Sequence, residues 1–502
     1  MSRYLINSLL FASVFCFAIA LNAQEPNYKF LDTPGDSYYT FGSESTRYLE
    51  NERVKLGLDL ALGGAVVYLE DKANNSGNMI NSYDWGRQIQ LSYYSGPRPF
   101  IGPNGEQPSP SWAGLGWNPI QSGDCGGYRS RVLKFEQKGD SEIVLVCRPM
   151  LWPHVGVPAE CLFECRYVLM DNGFSLYATI INNRSDKTQY PLCSQETPAL
   201  YTNAPWYKLV SYLGDKPFEN EPITVIVDKN DGKGWPWRNY YAPENWSALL
   251  NEKDYGVGVY QPFSTYASSG FHGGDDAKGK DYGAKDVPTG YIAPRETTIL
   301  DWNIKRTYRA DFIVGSLQEI RETVYRLAQN ERQITPNWVF TNDRCNWGYD
   351  NATDDGFPIV DSLKINVGAK ENAVAKSPET FWKADDAALL QIDILAPKLE
   401  RVDGTITVRF VPVSPADFVD YLQWSDSANN KEQEKIDLEK KHPRLPDVYV
   451  DVPVKFNGER QTLEVDLTKV EGYKGAMKRV EIIFPKTEMK VQLFRVGFAK
   501  QS

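Results

Sequence analysis

The chain has 502 residues, a formal net charge of −10 and 13% aromatic residues, with 29 Tyr and 13 Trp. The acidic balance and the lack of a long basic run argue against a nucleic-acid partner. Three histidines, His154, His272 and His442, share no metal-binding spacing, and no G-x-S-x-G elbow, phosphate loop or dinucleotide fingerprint occurs. A His-centred triad and a zinc hydrolase are therefore disfavoured, and chemistry falls to carboxylates, tyrosines, arginines or a bound cation.

At the N-terminus, Arg3 precedes the apolar run Leu9 to Leu21, and Ala23 stands before Gln24-Glu25-Pro26. This pattern predicts a signal peptide over residues 1–23, cleaved after Ala23, and a secreted or periplasmic protein. Val14-Phe15 before Cys16 are bulkier than a lipid-attachment motif tolerates. No later segment is apolar enough to span a bilayer, so membrane insertion is not expected. The chain beyond the leader, roughly 480 residues, fits two or three domains. It holds six cysteines: Cys125, Cys147, Cys161, Cys165, Cys193 and Cys345. Export permits disulfides, but Cys161 and Cys165 are four apart on a predicted strand, roughly 13 Å, too far to bridge each other.

Strand signals then dominate. Val54, Leu56, Leu58 and Leu60 alternate before Gly63-Gly64, and Ile143 to Cys147 reads as a buried strand. Cys161 to Leu169 and Phe174 to Ile181 flank Asp171-Asn172-Gly173, a hairpin signal. Ser316 and Glu319 form a capping-box pair ahead of an apolar stripe of Ile320, Val324, Leu327 and Ala328, and Thr335-Pro336 closes that helix. A second alternating series runs through Leu390, Ile392 and Ile394 to Val491 and Phe498, broken by the charged insert 425–442. The expected fold is mainly β. A large antiparallel β-sandwich spans 24–340, a linker 341–360 and a jelly-roll-type β-sandwich 361–502.

Four segments mix aromatics with amides and charges. Asn81 to Tyr94 carries Asp84, Arg87, Gln90, Tyr93 and Tyr94; an Asp84–Arg87 pair that merely fixes the turn is an equal reading. Trp117 to Tyr128 carries Trp117, Gln121 and Asp124 in a Gly-rich loop, where Asp124 could also be a turn former. Cys193 to Tyr201 places Glu196 near a strand end, and Trp235 to Trp246 carries Trp237, Arg238, Glu244 and Trp246. Aromatic faces beside hydrogen-bonding groups suit sugar rings, although β proteins also use aromatics within their sheets.

The run from Gly63-Gly64 through Asn81, Asp84 to Gln90 and Tyr93-Tyr94 resembles exported bacterial proteins with a galactose-mutarotase-like β-sandwich. Asn118 to Asp124 and Gln195 to Tyr201 resemble the same group. The resemblance covers roughly residues 45–330 and implies a sandwich shared with sugar epimerases, polysaccharide lyases and domains of glycoside hydrolases. Mutarotases use a His acid with a Glu base, and no convincing His partner stands out here. The C-terminal sandwich is similar in outline to galactose-binding-like carbohydrate modules.

The leading expectation is a glycoside hydrolase acting on a poly- or oligosaccharide through paired carboxylates. Glu196 is the first choice, with Asp84, Asp124 and Glu244 competing for the second role. Arg87, Gln90, Tyr93, Tyr94, Trp117, Gln121, Trp237, Arg238 and Trp246 are the expected substrate-binding residues. A lyase with a Tyr base and an Arg or Gln neutraliser, and a non-catalytic glycan binder, are the alternatives. No cofactor is expected, with a calcium ion left open, and the sequence sets no oligomeric state.

Overall fold

The computed structural model describes residues 44–227, 237–272, 288–418 and 440–499. The expected leader with its Ala23 cleavage site, Trp235, Pro236 and residues 425–439 of the charged insert lie outside the described residues.

The alternating runs form strands because each can bury one face. In Val54–Asp59, Val54, Leu56 and Leu58 are buried. In Cys161–Met170, Cys161, Phe163, Cys165 and Tyr167 point inward, and the strand pairs with Gly173–Asn182 across the Asp171-Asn172 turn. A Cβ on Gly173 would stand 1.9 Å from the Phe312 carbonyl oxygen. Only glycine allows that approach of backbone to backbone.

Two antiparallel sheets make the first sandwich. Among its described strands, one sheet runs through Ile89–Ser92, Cys193–Thr202, Thr289–Thr298, Tyr266–His272 and Arg238–Tyr241 as neighbours. The other carries Lys305–Ser316, Gly173–Asn182 and Cys161–Met170 at its centre. Aromatic rings fill the space between them. Phe174 stacks on Phe312 at 4.6 Å, and Tyr93 packs at 5.0 Å from Phe163 and 5.7 Å from Tyr308.

The predicted helix is Leu317–Ala328, and its capping box is formed: Glu319 N donates to Ser316 Oγ, and Ser316 N donates to Glu319 Oε2 at 2.9 Å. Ile320, Val324 and Ala328 seat the helix on the back of the second sheet, against Val210, Trp246 and Ile313.

The second sandwich joins two further sheets around Leu390, Ile392, Ile394, Val408, Phe410 and Ile482. It starts earlier than the sequence suggests. Asn337–Val339 already pairs with the last strand, Met489–Ala499, and the expected linker supplies Gly348–Asp350 and Ala352–Asp354. Strands of three residues are too short to show an alternation. The two sandwiches are tied by a buried ionic knot. Arg344 meets Asp354 at 2.6 Å and Asp301 at 2.9 Å, and Gln189 donates to both acids. Burial raises the pKa of Asp354, yet the Arg344 hydrogen bond and charge hold it below the usual carboxylate value.

No disulfide joins the six cysteines among the described residues, and no described helix is long and apolar enough to cross a membrane.

Candidate functional site

The outward face of the sheet holding Cys193–Thr202 is built around an irregularity. Along that strand Glu196 stands opposite Arg295, whereas Leu200 stands opposite Ile292 and Tyr201 opposite Tyr291, so the register slips between Glu196 and Leu200. Such a bulge inserts an extra residue and re-aims the side chains beside it. Here it turns Glu196 to the same side as Ala199 and Tyr201, away from the core that holds Leu200 and Ile292.

On that face Arg295 Nη1 donates to Glu196 Oε1 at 2.6 Å, and Arg295 Nε donates to Ser194 Oγ at 2.9 Å. Both side chains are partly exposed, Glu196 by 15% and Arg295 by 20%, enough to meet a ligand. The Arg295 guanidinium lies 5.8 Å from the Tyr94 ring centre. Tyr94 is itself positioned by Gln195, whose amide accepts from Tyr94 N and donates to Tyr94 O.

Beside the ion pair is an aromatic floor. Ala199 and Ala293 leave room for Tyr201 and Tyr291, whose ring centres are 5.0 Å apart, and Trp237 stacks on Tyr291 at 4.6 Å and 17°. A Cβ on Gly270 would lie 2.9 Å from the Trp237 ring, so the glycine lets the indole settle against its strand.

Asp84 and Arg87 border the same face. They pair at 3.2 Å, Asp84 Oδ1 accepts from Gly86 N, and the Arg87 guanidinium sits 4.8 Å from the Tyr83 ring centre. Their charges reach Tyr201, and that of Arg87 reaches His272 at the end of its strand. Partial loss of hydration, then Arg87, lowers the pKa of His272, which favours the neutral ring. Burial, and next the Glu196 charge, raises the pKa of Tyr94, Tyr201 and Tyr291, so these phenols stay protonated donors. Burial is the largest influence on Arg295 and works against its charge, but Glu196 together with Tyr291 and Tyr94 outweighs it and the net shift is upward. The face thus offers flat apolar rings, hydroxyl donors, carboxylate acceptors and one uncharged imidazole.

Of the expected residues, Asp84, Arg87, Tyr94, Glu196 and Trp237 lie on or beside this face. The others are corrected by burial and by the partners they already hold. Asp124 is fully buried; its Oδ1 accepts from Gly126 N and Tyr128 N, and its Oδ2 from Gly156 N at 2.6 Å. It is the turn former of the alternative reading, and burial lifts its pKa against those three donors. Glu244 is also fully buried, accepting from Phe218 N, Tyr325 Oη and Trp246 Nε1 and pairing with Arg321 at 3.2 Å. It anchors the helix, and Trp246 is core.

Tyr93 fills the space between the sheets. Trp117 is buried beneath Arg184, 5.6 Å from its ring. Gln121 accepts from Leu91 N and donates to Gly63 O and Tyr167 Oη, while Gln90 donates to Trp85 O and accepts from Ser122 N. Arg238 is half-buried and donates to Ile226 O. These long polar groups were legible as unusual, but they serve buried backbone rather than a ligand.

Sequence reasoning missed Arg295, Tyr201 and His272 as site residues, and Tyr291 as the buried ring that supports Trp237. The alternation of Tyr291, Ala293 and Arg295 was the available signal, since one strand face carried only large rings, small residues and a cation. Among the described residues no group of three or more His, Cys, Asp or Glu is arranged to hold a metal.

No family model and no curated protein matches the chain. Solved structures do align with it. A galactose mutarotase-like protein from Lactobacillus casei ATCC 334 is 15% identical, covering 54% of this chain and 99% of its own, with a TM-score of 0.34. A galactose mutarotase related enzyme from Lactobacillus acidophilus is 13% identical over 54% of this chain and 97% of its own, TM-score 0.34. The family 11 carbohydrate-binding module from Clostridium thermocellum, in complex with a mixed-linked tetrasaccharide, is 9% identical over 34% of this chain and 97% of its own, TM-score 0.20.

Proposed function

We propose that this is an exported carbohydrate-active protein that binds a poly- or oligosaccharide on the outward face of its first sandwich. The observation that carries the reading is the partly exposed Trp237 and Tyr201, backed by the buried Tyr291, beside the partly exposed Glu196–Arg295 pair. Sugar C–H faces pack on such rings while hydroxyls reach the charged groups at the edge. Affinity electrophoresis or calorimetry against a panel of neutral and uronate-containing glycans tests it. Binding that Trp237→Ala weakens supports the reading, and no binding to any glycan in the panel defeats it.

Glycoside hydrolysis is the second reading, favoured by two partly exposed carboxylates, Glu196 and Asp84, bordering one face. One would act as acid and the other as base or nucleophile. Product masses after incubation with the same panel decide between cleavage and binding alone. The lyase alternative has less support, because Tyr93 is buried in the core and the raised pKa of Tyr94 opposes a phenolate base. Export is tested by N-terminal sequencing of the mature protein, expected to start at or near Gln24.

A further inference from the structure

The outward face of the first sheet continues past Glu196 across the strands Ile89–Ser92 and Ala65–Asp71. Val66 belongs to the core, so Ala65 and Val67 beside it point outward, where Trp85, Ile120 and Trp152 cluster with them. Gln90 stands opposite Ala199 on the neighbouring strand and donates to Trp85 O at 3.3 Å. That bond fixes Trp85 on the same side of the sheet as Glu196 and Tyr201. The strands of Val67 and Glu196 are two strand spacings apart, about 10 Å, so a short glycan chain reaches both.

On this face Arg295 and Arg87 each hold an acid, Glu196 at 2.6 Å and Asp84 at 3.2 Å. Arg129 does not. It is partly exposed, and its guanidinium lies 5.0 Å from the Trp85 ring centre. Among the described residues no carboxylate pairs with it and no acceptor takes a hydrogen bond from it. Asp124, the acid of its own turn, is committed to the backbone N–H groups of Gly126, Tyr128 and Gly156. Stacking occupies the flat face of a guanidinium and leaves its N–H edge for a planar oxyanion.

The cluster around Trp85 also carries an exposed ring. Trp112, 38% exposed, meets Trp152 edge-on at 5.4 Å. Gly86 lets Trp152 come close to Asp84, since a Cβ there would lie 3.2 Å from the indole and 3.3 Å from Asp84 Oδ1. Apolar ring surface therefore adjoins a cation that no described acid neutralises. Given glycan binding on the outward face as proposed above, we infer that the ligand is an acidic glycan containing uronate residues, and that Arg129 selects it. A uronate carboxylate pairs with the N–H edge of Arg129, as Glu196 and Asp84 do with the other two arginines. Sugar faces rest on Trp112 and Trp237.

Titration calorimetry on the full chain tests this with tetragalacturonate and tetramannuronate, and with their methyl esters, which keep ring and linkage but lose the charge. Cellotetraose and xylotetraose serve as neutral chains, and a carrageenan tetrasaccharide as a sulfated one. A uronate should bind about tenfold or more tighter than its ester, and added salt should weaken the uronate alone. Arg129→Gln should bring the uronate to the level of its ester, leaving the ester's affinity and the far-ultraviolet spectrum unchanged. Arg129→Lys, with the charge but without the fork, should keep part of the preference. Trp237→Ala should weaken uronate and ester alike. Esters binding as tightly as uronates, a uronate preference untouched by Arg129→Gln, or tight binding of the sulfated chain alone overturns the inference and leaves glycan binding standing. No binding of any probe overturns both.

Discussion

Glu196 and Tyr201 stand an odd number of positions apart on one strand, yet both present their side chains to the same face of the sheet. A regular strand would send them to opposite faces. The bulge between them supplies the extra residue that restores the match, and so sets the ion pair beside the aromatic floor.

The Glu196–Arg295 pair is expected to be energetically coupled. A double-mutant cycle with Glu196→Gln and Arg295→Gln, read by denaturant unfolding, should give an interaction energy of roughly 0.5–3 kcal/mol, the range for residues in direct contact. An additive cycle would mean that the pair is not held in solution.

Trp237→Ala removes the ring stacked on Tyr291 without opening the main core. Loss of an aromatic contact worth roughly 0.5–1.5 kcal/mol should weaken glycan binding several-fold, while the far-ultraviolet spectrum stays unchanged. Titration calorimetry of the variant against the best-binding glycan provides the comparison.

Asp124 and Glu244 should matter to stability rather than to ligand binding. Asp124→Ala leaves three backbone donors without their acceptor, and Glu244→Ala strips Arg321 of its buried partner. Each should cost about 1–3 kcal/mol or more in urea unfolding. If either variant kept full stability but lost glycan binding, its placement as a structural residue would fail.

His154 should make stability depend on pH. It is buried, and its Nε2 lies 3.1 Å from the Phe100 carbonyl oxygen. Burial lowers its pKa below 6.5, with the Phe100 carbonyl and the Glu106 charge acting in the opposite direction. The unfolded chain therefore takes up a proton near pH ~6.5 while the folded chain still resists it. Stability present above that pH is lost as pH falls through the folded pKa. Comparing unfolding free energies at about pH 7 and pH 5, His154→Gln should show a smaller drop than the parent.

What the sequence determined by itself was whatever repeats locally. Alternation marked the strands around Val54, Phe163, Ile392 and Val408, and Ser316 with Glu319 announced the helix, because period and capping need only near neighbours. The chemical character of Glu196 and Trp237 was equally visible in their own short segments. Only the tertiary structure decided which polar residues face solvent. Asp124 and Glu244 have the composition of a site, but the donors that consume them, such as Gly156 and Tyr325, arrive from distant segments. Arg295 could be assigned to Glu196 only through strand pairing, and that pairing depends on a bulge with no periodic trace. The second sandwich begins at Asn337 because a three-residue strand finds the C-terminal strand as its partner. Side-chain burial and register are set by contacts far apart in the chain, and such contacts leave little mark on any one stretch of sequence.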